Sequence, residues 1–145
     1  MRTAHNDRDS TPSQAPYYAD ETGELVVLDE FVPGLRGLEG FDYAWIIAWF
    51  DRLAGEPPRL EEEPHPLSGT GRLFGVFATR SPARPNNLGM SRVRLLGIHG
   101  NVVRFGGVDL MDGTPVLDIK PYIAKVDIPP EGEGISSGWM DELER

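Results

Sequence analysis

The sequence predicts a mainly β fold with little helix. Short apolar runs rich in valine, isoleucine and aromatic residues recur along the chain, and glycine, proline, asparagine and aspartate separate them. Runs of this length bounded by turn-forming residues are typical of β-strands. The chain has 145 residues and no cysteine. We therefore expect one domain, large enough to bury a core without disulfides.

The strands follow from this pattern in chain order. Residues 23–28 form the first predicted strand. Residues 41–53 are predicted to form a buried central strand with Trp45 and Trp49 in the core, although their apolar continuity also allows a helix. Residues 35–38, between these strands, allow one helical turn. The later predicted strands are 72–78, a hairpin of 91–98 with 102–108, and 116–119.

The two ends and a long middle segment lack a periodic pattern. On composition, residues 1–18 form a disordered tail, and residues 55–71, rich in proline, glutamate and glycine, form a long loop. Residues 128–138 have the composition of a linker, and 139–145 form either a short amphipathic helix or a frayed end. We therefore predict one domain over residues 1–127 and a C-terminal extension over 128–145.

An acidic turn follows the predicted hairpin, with the sequence V-D-L-M-D-G-T-P-V-L-D-I-K-P-Y over residues 108–122. The run D-G-T-P favours a turn, because Asp bonds nearby backbone, Gly allows positive φ and Pro cannot continue a helix. One interpretation is a hairpin corner in which Asp109 and Asp112 hold turn amides. The other is a functional site in which these carboxylates act together with Lys120 and Tyr122.

A loop with two arginines lies upstream. Arg80 and Arg84 are four residues apart in a segment interrupted by prolines, so a helix does not present them. Guanidinium groups on a stiff loop suit carboxylates, phosphates or a ribose, because each is a planar fork of donors. Alternatively, both arginines pair with Asp109 and Asp112 as a structural knot.

The charge balance limits the classes of partner. The formal net charge is −9, with acidic clusters at residues 61–63 and 141–144, which argues against broad nucleic-acid affinity. A local basic patch remains compatible with this balance. So does a solvated basic face. The arginines of the middle segment are Arg80, Arg84, Arg92, Arg94 and Arg104.

Several classes of site are disfavoured by residue content. Without cysteine there is no thiolate ligand or nucleophile, and the three histidines lie far apart in sequence, so no metal site is expected. The sequence has no signal peptide and no long apolar run. We expect a cytoplasmic protein that does not contact membranes.

Two motifs carry a family resemblance. The pattern T-R-S-P-x-R-P-N-x-x-G-x-S over residues 79–91 and the pattern D-L-x-D-G-T-P-V-L-D-I-K-P-Y over 109–122 resemble the TsaA-like (YaeB/TrmO) family of S-adenosylmethionine-dependent tRNA methyltransferases. The resemblance covers about residues 2–127. It implies a mixed-sheet pseudo-barrel, a homodimer with its site near the subunit interface, and methylation of the adenine nitrogen of threonylcarbamoyl-adenosine beside the tRNA anticodon.

The resemblance also implies roles for residues of this chain. Arg84 and Asn86 fall at substrate-binding positions, and Asp118, Lys120 and Tyr122 at catalytic ones, with Asp109 as another candidate base. Burial of Asp118 against Ile119 and Tyr122 is expected to raise its pKa. The implied contacts to S-adenosylmethionine are Pro12, Ser13, Gln14, Asp51, Arg52, Arg80, Met90, Asp109, Asp112 and Gly113.

Three features depart from the family pattern. Asp51 and Arg52 stand where the family commonly has His and a polar residue, and Asn87 and Leu88 replace Pro and Ile. Losing that proline is expected to loosen the loop by about 0.4–1 kcal/mol. The family strand I-G-x-I that precedes the residues matching Met1 is absent, and we expect the natural start to lie upstream.

Two further hypotheses keep the scaffold and change the function. The chain is either a methyltransferase with a different acceptor or a non-catalytic module that binds S-adenosylmethionine. A continuous arginine patch from Arg80 to Arg94 would favour tRNA, whereas an acidic rim at residues 61–63 would oppose it. If Asp118, Lys120 and Tyr122 face away from the cofactor residues, the non-catalytic hypothesis gains.

Overall fold

Seven strands form two antiparallel sheets in a computed structural model that describes residues 1–7, 11–12, 20–130 and 134–143. The main sheet has five strands in the order β1-β6-β5-β2-β7, and β3 pairs with β4 in the second sheet. The strands are β1 Thr22–Val26, β2 Tyr43–Trp49, β3 Glu61–Glu62, β4 Phe74–Gly75, β5 Leu88–His99, β6 Val102–Gly106 and β7 Val116–Pro121.

The prediction of a mainly β fold with little helix is confirmed. The one α-helix of the described residues, α1, spans Ala124–Asp127, and short 3₁₀ turns make up the other helical segments. The two sheets are compatible with a pseudo-barrel, although the described strands do not close into a barrel. No helix within the described ranges is long and apolar enough to cross a bilayer.

The predicted hairpin of β5 with β6 is present, but β6 and β7 do not pair. β5 and β2 lie between them in the sheet, so the interpretation of residues 108–119 as a hairpin corner is wrong. The segment between β6 and β7 instead runs across the core face of the sheet, where it buries Val108 and Leu110, and reaches the end of β2 before β7 begins. This crossing places the acidic turn beside the ends of β2 and β5 rather than at an isolated corner.

Alternation along β2 decides which residues form the core. Ala44, Ile46 and Ala48 are fully buried, and they share one face because successive strand side chains point to opposite sides. Trp45 is only half-buried and Trp49 is 39% exposed, so their prediction as core residues is wrong. The core face is instead filled by large side chains from elsewhere, including Phe105, Val93, Val108, Leu35 and Leu38.

Several loops are more ordered than the sequence predicts. Two 3₁₀ turns, Asp29–Leu35 and Leu38–Gly40, replace the single helical turn, and each buries a leucine. β3 lies within the predicted long loop. The strand predicted over residues 72–78 reduces to β4, followed by a 3₁₀ turn at Val76–Ala78.

Both chain ends contact the fold. Arg2 and Glu24 exchange backbone hydrogen bonds of 2.7 and 2.9 Å, and Thr3 and His5 bond to Asp112, so residues 1–7 are not a disordered tail. Of the rest of that predicted tail, the structure describes only residues 11 and 12. Near the other end, Gly138–Glu142 forms a 3₁₀ turn, which is neither the amphipathic helix nor the frayed end of the sequence-based alternatives.

Close packing explains why residue 89, in the motif over residues 79–91, is a glycine. A Cβ added to Gly89 would lie 2.4 Å from Cζ of Phe50, closer than carbon atoms approach without a shift. Phe50 packs against the hydrophobic core, so its ring has little room to move.

We predict that Gly89→Ala lowers the free energy of unfolding by about 1–3 kcal/mol, because overpacking forces side chains or backbone to shift. Denaturant titration measures this change. Gly75→Ala is the matched control, since it also alters a strand glycine but its new Cβ meets no atom within 4 Å. Equal destabilisation by the two substitutions would contradict the packing argument.

Candidate cofactor and substrate site

Several segments converge at one end of the main sheet, where β2 ends and β5 and β7 begin. The backbone N–H of Trp49 donates to Pro115 O at 3.0 Å, and that of Phe50 donates to Asn87 O at 2.9 Å. The N–H of Asp112 donates to His5 O at 2.7 Å. We call this region the loop end; it consists of residues 1–7, 50–53, 79–87 and 109–115.

Arg52 ties three parts of the loop end together. Its Nη2 donates to Asp112 O at 2.9 Å, and its Nη1 donates to Asn6 O at 3.3 Å and to Met111 Sδ at 3.4 Å. Arg52, which differs from the residue that the family commonly has here, therefore binds backbone carbonyls. Asp51, beside it, is exposed at the start of a 3₁₀ turn.

Asp112 fastens the first residues of the chain. Its Oδ1 accepts the backbone N–H of Thr3 at 2.9 Å, and Thr3 Oγ1 donates to Leu110 O at 3.0 Å. His5 is buried, and its Nε2 lies 2.6 Å from Glu21 Oε2. Sequence analysis missed Thr3, His5 and Asn6, because bonds made mainly through backbone atoms leave no periodic pattern.

The two sequence motifs meet through a buried serine. Ser91 Oγ donates to Asp109 Oδ1 at 2.5 Å, joining the core face of β5 to the acidic turn. Gly113 follows with a φ of +79°, which a side chain would strain. The loop end thus brings together Asp109, Asp112 and Gly113 with Arg52.

Arg84 does not join these aspartates. Its Nη2 donates to Val76 O at 2.7 Å and to Thr79 O at 2.8 Å, so the structural knot predicted for Arg84 is wrong. Arg84 instead stiffens its own loop. Arg80 and Asn86 are exposed on that loop, which we call the arginine loop, residues 79–87.

Asn87 closes the arginine loop. Its φ is +46°, in the left-handed region that asparagine tolerates better than most residues. Its side-chain amide donates to Pro82 O and Arg84 O, both at 3.2 Å. Proline fixes φ near −65°, so the family's proline does not fit this backbone, while the loosening expected from the entropy of the unfolded chain stays a prediction.

Other predicted residues lie on the sheet face opposite the core, which we call the outer face. Met90, Ile47 and Asp118 stand in one row across β5, β2 and β7, and Arg92, Trp45 and Lys120 stand in the next. Met90 is 57% exposed. Its side chain therefore points away from the core face on which Ser91 binds Asp109.

The pKa of Asp118 is lowered, contrary to expectation. Lys120 Nζ lies 2.9 Å from Asp118 Oδ2, and this hydrogen bond is the main cause. The N–H of Ile119 also donates to Asp118. The carboxylate is 48% exposed, so the predicted burial that would raise its pKa is wrong.

Tyr122 lies at the far end of the outer face. Its N–H donates to Tyr43 O at 2.9 Å, and its ring centroid lies 5.8 Å from that of Trp45. The guanidinium of Arg92 lies 5.5 Å from the Tyr122 ring and 5.7 Å from the Tyr43 ring. Tyr43 and Trp49 are six residues apart on β2, so about 20 Å separates Tyr122 from the loop end.

The remaining predictions are three contacts to the cofactor and the expectation that there is no metal site. Pro12 is buried, whereas Ser13 and Gln14 lie outside the described residues. Within the described ranges, no group of three or more His, Asp or Glu side chains is arranged to hold a metal ion.

Comparison with known proteins identifies the family. Residues 1–128 match the family model described as tRNA-methyltransferase O N-terminal domain. The chain belongs to this family. The resemblance seen in the two motifs is thereby confirmed.

Three known proteins are similar to this chain in sequence or in structure. A Pyrococcus abyssi protein named probable S-adenosyl-L-methionine-binding protein is 40% identical over 90% of this chain and 67% of its own length. The tRNA (adenine(37)-N6)-methyltransferase of Escherichia coli is 37% identical over 85% of this chain and 54% of its own length. The crystal structure of TrmO from Pseudomonas aeruginosa matches with a TM-score of 0.70 and 33% identity, over 93% of this chain and 58% of that one. The chain therefore spans between about half and two thirds of these relatives.

We predict that Asn87→Pro destabilises the protein by more than about 1 kcal/mol, because proline cannot adopt the positive φ. Asn87→Gly should cost less, since glycine keeps the backbone geometry and loses only the amide hydrogen bonds. Thermal unfolding ranks the variants. A proline variant as stable as the parent would contradict the role assigned to Asn87.

We predict that Lys120→Met raises the pKa of Asp118 towards its ordinary value, because the hydrogen bond that lowers this pKa is lost. Because the folded pKa lies below the unfolded one, the pair stabilises the fold above about pH 4, and this contribution disappears as pH falls through the folded pKa. With half-exposed partners it is at most about 1 kcal/mol. Carboxyl-carbon NMR titration measures the pKa; an unchanged value in Lys120→Met would refute the assignment.

Proposed function

We propose that this chain binds S-adenosylmethionine at the loop end and serves in methylation of N6 of threonylcarbamoyl-adenosine beside the tRNA anticodon. Residues 1–127 would form the binding domain. The observation that carries the proposal is the Ser91–Asp109 hydrogen bond. It joins two family motifs that are separated in sequence into one region with carboxylates and an arginine loop.

The loop end fits the chemical groups of this cofactor. Carboxylates of Asp109 and Asp112 favour the sulfonium and the ammonium of the amino-acid tail, while Arg80 suits the carboxylate of the tail. Gly113 lets a ligand approach the backbone closely. Pro12 would border the adjoining contact, with Ser13 and Gln14 following in sequence. When bound, the cofactor supplies an electrophilic methyl group.

Positioning is the main contribution that the loop end can make to the reaction. Methyl transfer is an in-line displacement, and well-oriented reactants gain about 7–11 kcal/mol over free encounter. Arg52, bonded to the carbonyls of Asn6 and Asp112, fixes the loop that carries the carboxylates. We propose that Arg52 acts by holding this loop rather than by touching the cofactor.

The proposed catalytic residues need revised roles. Asp118 is charged at neutral pH and is a weak base because its pKa is lowered. We propose that Asp109 is the candidate base, and that Asp118 and Lys120, on the opposite face of the sheet, orient and stabilise charge on the acceptor at the site of the partner copy in the dimer proposed below. The lowered pKa of Asp118 is also the observation that favours the alternative function, a non-catalytic module that binds S-adenosylmethionine.

The half of the outer face that lies far from the loop end, which we call its far half, has the side chains that suit a tRNA partner. Arg92, Arg94 and Lys120 are exposed there beside Tyr43 and Tyr122, and cationic groups with aromatic rings suit phosphates and bases. We propose that Asn86, exposed on the arginine loop, makes a separate contact with the tRNA at the loop end, where Arg84 holds the loop in shape.

The acidic cluster at residues 61–63 is partly used inside the protein. Glu62 accepts the hydroxyl of Thr79 at 2.8 Å, and Glu63 accepts the N–H of Gly71 at 2.6 Å. Bonds to backbone N–H groups of Gly69 and Gly71 lower the pKa of Glu63. Glu63 bonds within its own loop, whereas Glu62 lies beside Thr79 at the start of the arginine loop, so the cluster keeps negative charge next to that loop and opposes phosphate contacts there. A tRNA substrate would place the protein in the cytoplasm.

We also propose that the protein is a homodimer. The near half of the outer face is mostly apolar, with Trp49, Leu88 and Met90 39, 40 and 57% exposed and Asp118 as the charged residue of the Met90 row. A second copy covering this half would bury that surface and bring residues of one outer face towards the site of the other. Sedimentation should show a dimer that Leu88→Glu dissociates; a monomeric parent would contradict this proposal.

We predict that S-adenosylmethionine binds the intact protein and that Asp112→Asn weakens binding about tenfold, equal to about 1.4 kcal/mol. The asparagine oxygen still accepts the N–H of Thr3, so the change removes charge and leaves the loop in place. Calorimetric titration measures the affinity, and Asp29→Asn is the control at an exposed site elsewhere.

Methyl transfer to threonylcarbamoylated tRNA, with unmodified tRNA as reference, then tests the acceptor. Unchanged affinity in Asp112→Asn would contradict the site. Absence of methylation despite cofactor binding would favour the non-catalytic alternative.

A further inference from the structure

The C-terminal segment forms a small preorganised structure, which we call the clasp, residues 134–143. The carboxylate of Asp141 accepts Ser136 Oγ at 2.9 Å and the N–H of Ser137 at 3.0 Å. Gly138 continues with a φ of +61°, and a 3₁₀ turn follows. The clasp lies beyond the residues that the family model matches, which are 1–128.

The clasp contacts β4 and the 3₁₀ turn Val76–Ala78, which lead into the arginine loop. Trp139 Nε1 donates to Ala78 O at 2.9 Å, and the Trp139 ring lies 5.6 Å from that of Phe74. Arg72 Nη1 lies 2.7 Å from Glu142 Oε2, and its guanidinium stands 5.5 Å from the Phe74 ring. Phe74 thus contacts both the Trp139 ring and the Arg72 guanidinium, and Arg72 in turn pairs with Glu142.

These contacts act on the residues just before Arg80. The 3₁₀ turn Val76–Ala78 has its Val76 carbonyl bound by Arg84, which also binds Thr79 O. Trp139 binds another carbonyl of the turn, at Ala78. The start of the arginine loop is therefore held from inside by one of its own residues and from outside by the clasp.

We propose that Trp139 is a positioning residue that sets the orientation of the arginine loop, and with it the affinity for the carboxylate of the cofactor's amino-acid tail. This inference rests on the proposed function. It assigns a role in that function to a segment outside the family domain, acting through Ala78 on Arg80. The Arg72–Glu142 ion pair fixes the clasp in the position from which Trp139 reaches Ala78.

Calorimetric titration of S-adenosylmethionine into the intact protein and its variants tests the inference. Trp139→Ala should weaken binding by about three- to tenfold. Trp139→Phe should weaken it less, because the ring can still stack on Phe74 while the N–H donor is lost. Affinity is compared well below the unfolding temperature of every variant, so that loss of fold does not enter.

A charge exchange provides the rescue. Arg72→Glu should weaken binding through repulsion from Glu142, and the double variant Arg72→Glu with Glu142→Arg should recover most of the affinity. Arg104→Glu is the control, since it also reverses a charge beside a glutamate, 3.9 Å from Glu24 on the sheet, away from the arginine loop. Parent affinity in Trp139→Ala and Arg72→Glu, with only lower unfolding temperatures, would overturn the inference.

A second measurement separates this inference from the proposed function. If the parent protein does not bind S-adenosylmethionine, the proposed function fails, and hydrogen exchange of residues 79–87 still tests the clasp. Trp139→Ala should speed exchange in that segment and leave β2 and β5 unchanged. Equal exchange in parent and variant would overturn the positioning role.

Discussion

The contacts of the Arg52 guanidinium hold the candidate site together. They join the turn after β2 to the first residues of the chain and to the acidic turn between β6 and β7. A charged donor bonded to carbonyls is stronger than a neutral one, and several acceptors make Arg52 hard to replace by lysine. The cofactor-binding role proposed for Asp112 depends on this geometry, because Asp112 supplies one of the carbonyls.

The alternation of β2 divides the molecule into two functional surfaces. Small residues such as Ala44 and Ala48 face the core and leave room for Phe105 and the 3₁₀ turns. Large residues, Trp45 and Trp49, face outwards with the neighbouring arginine and methionine of β5. The core side ends at the loop end, where a cofactor is proposed, while the outer face combines an apolar half and a cationic, aromatic half.

The sequence predicts local features well and long-range ones poorly. The hairpin of β5 and β6 and the strand β7 follow from alternation and turn residues, and both motifs of the loop end were recognisable from residue order. The docking of Thr3 and His5 was not, because it depends mostly on backbone bonds. The hydrogen bonds of Arg52 and the hydrogen bond from Trp139 to Ala78 also join residues distant in sequence. They could not be predicted because arginine and tryptophan occur in many environments. The outward tryptophans were mispredicted because a hydrophobic run does not reveal which face is buried.

The central claim is that the loop end binds S-adenosylmethionine. The most direct test is a titration of the isotope-labelled protein with the cofactor, followed by backbone NMR. The largest shift changes are expected at the amides of Thr3, Arg52, Asp112 and Gly113, with those of Tyr43 and Tyr122 nearly unchanged. No shifts, or shifts confined to the far half of the outer face, would contradict the account.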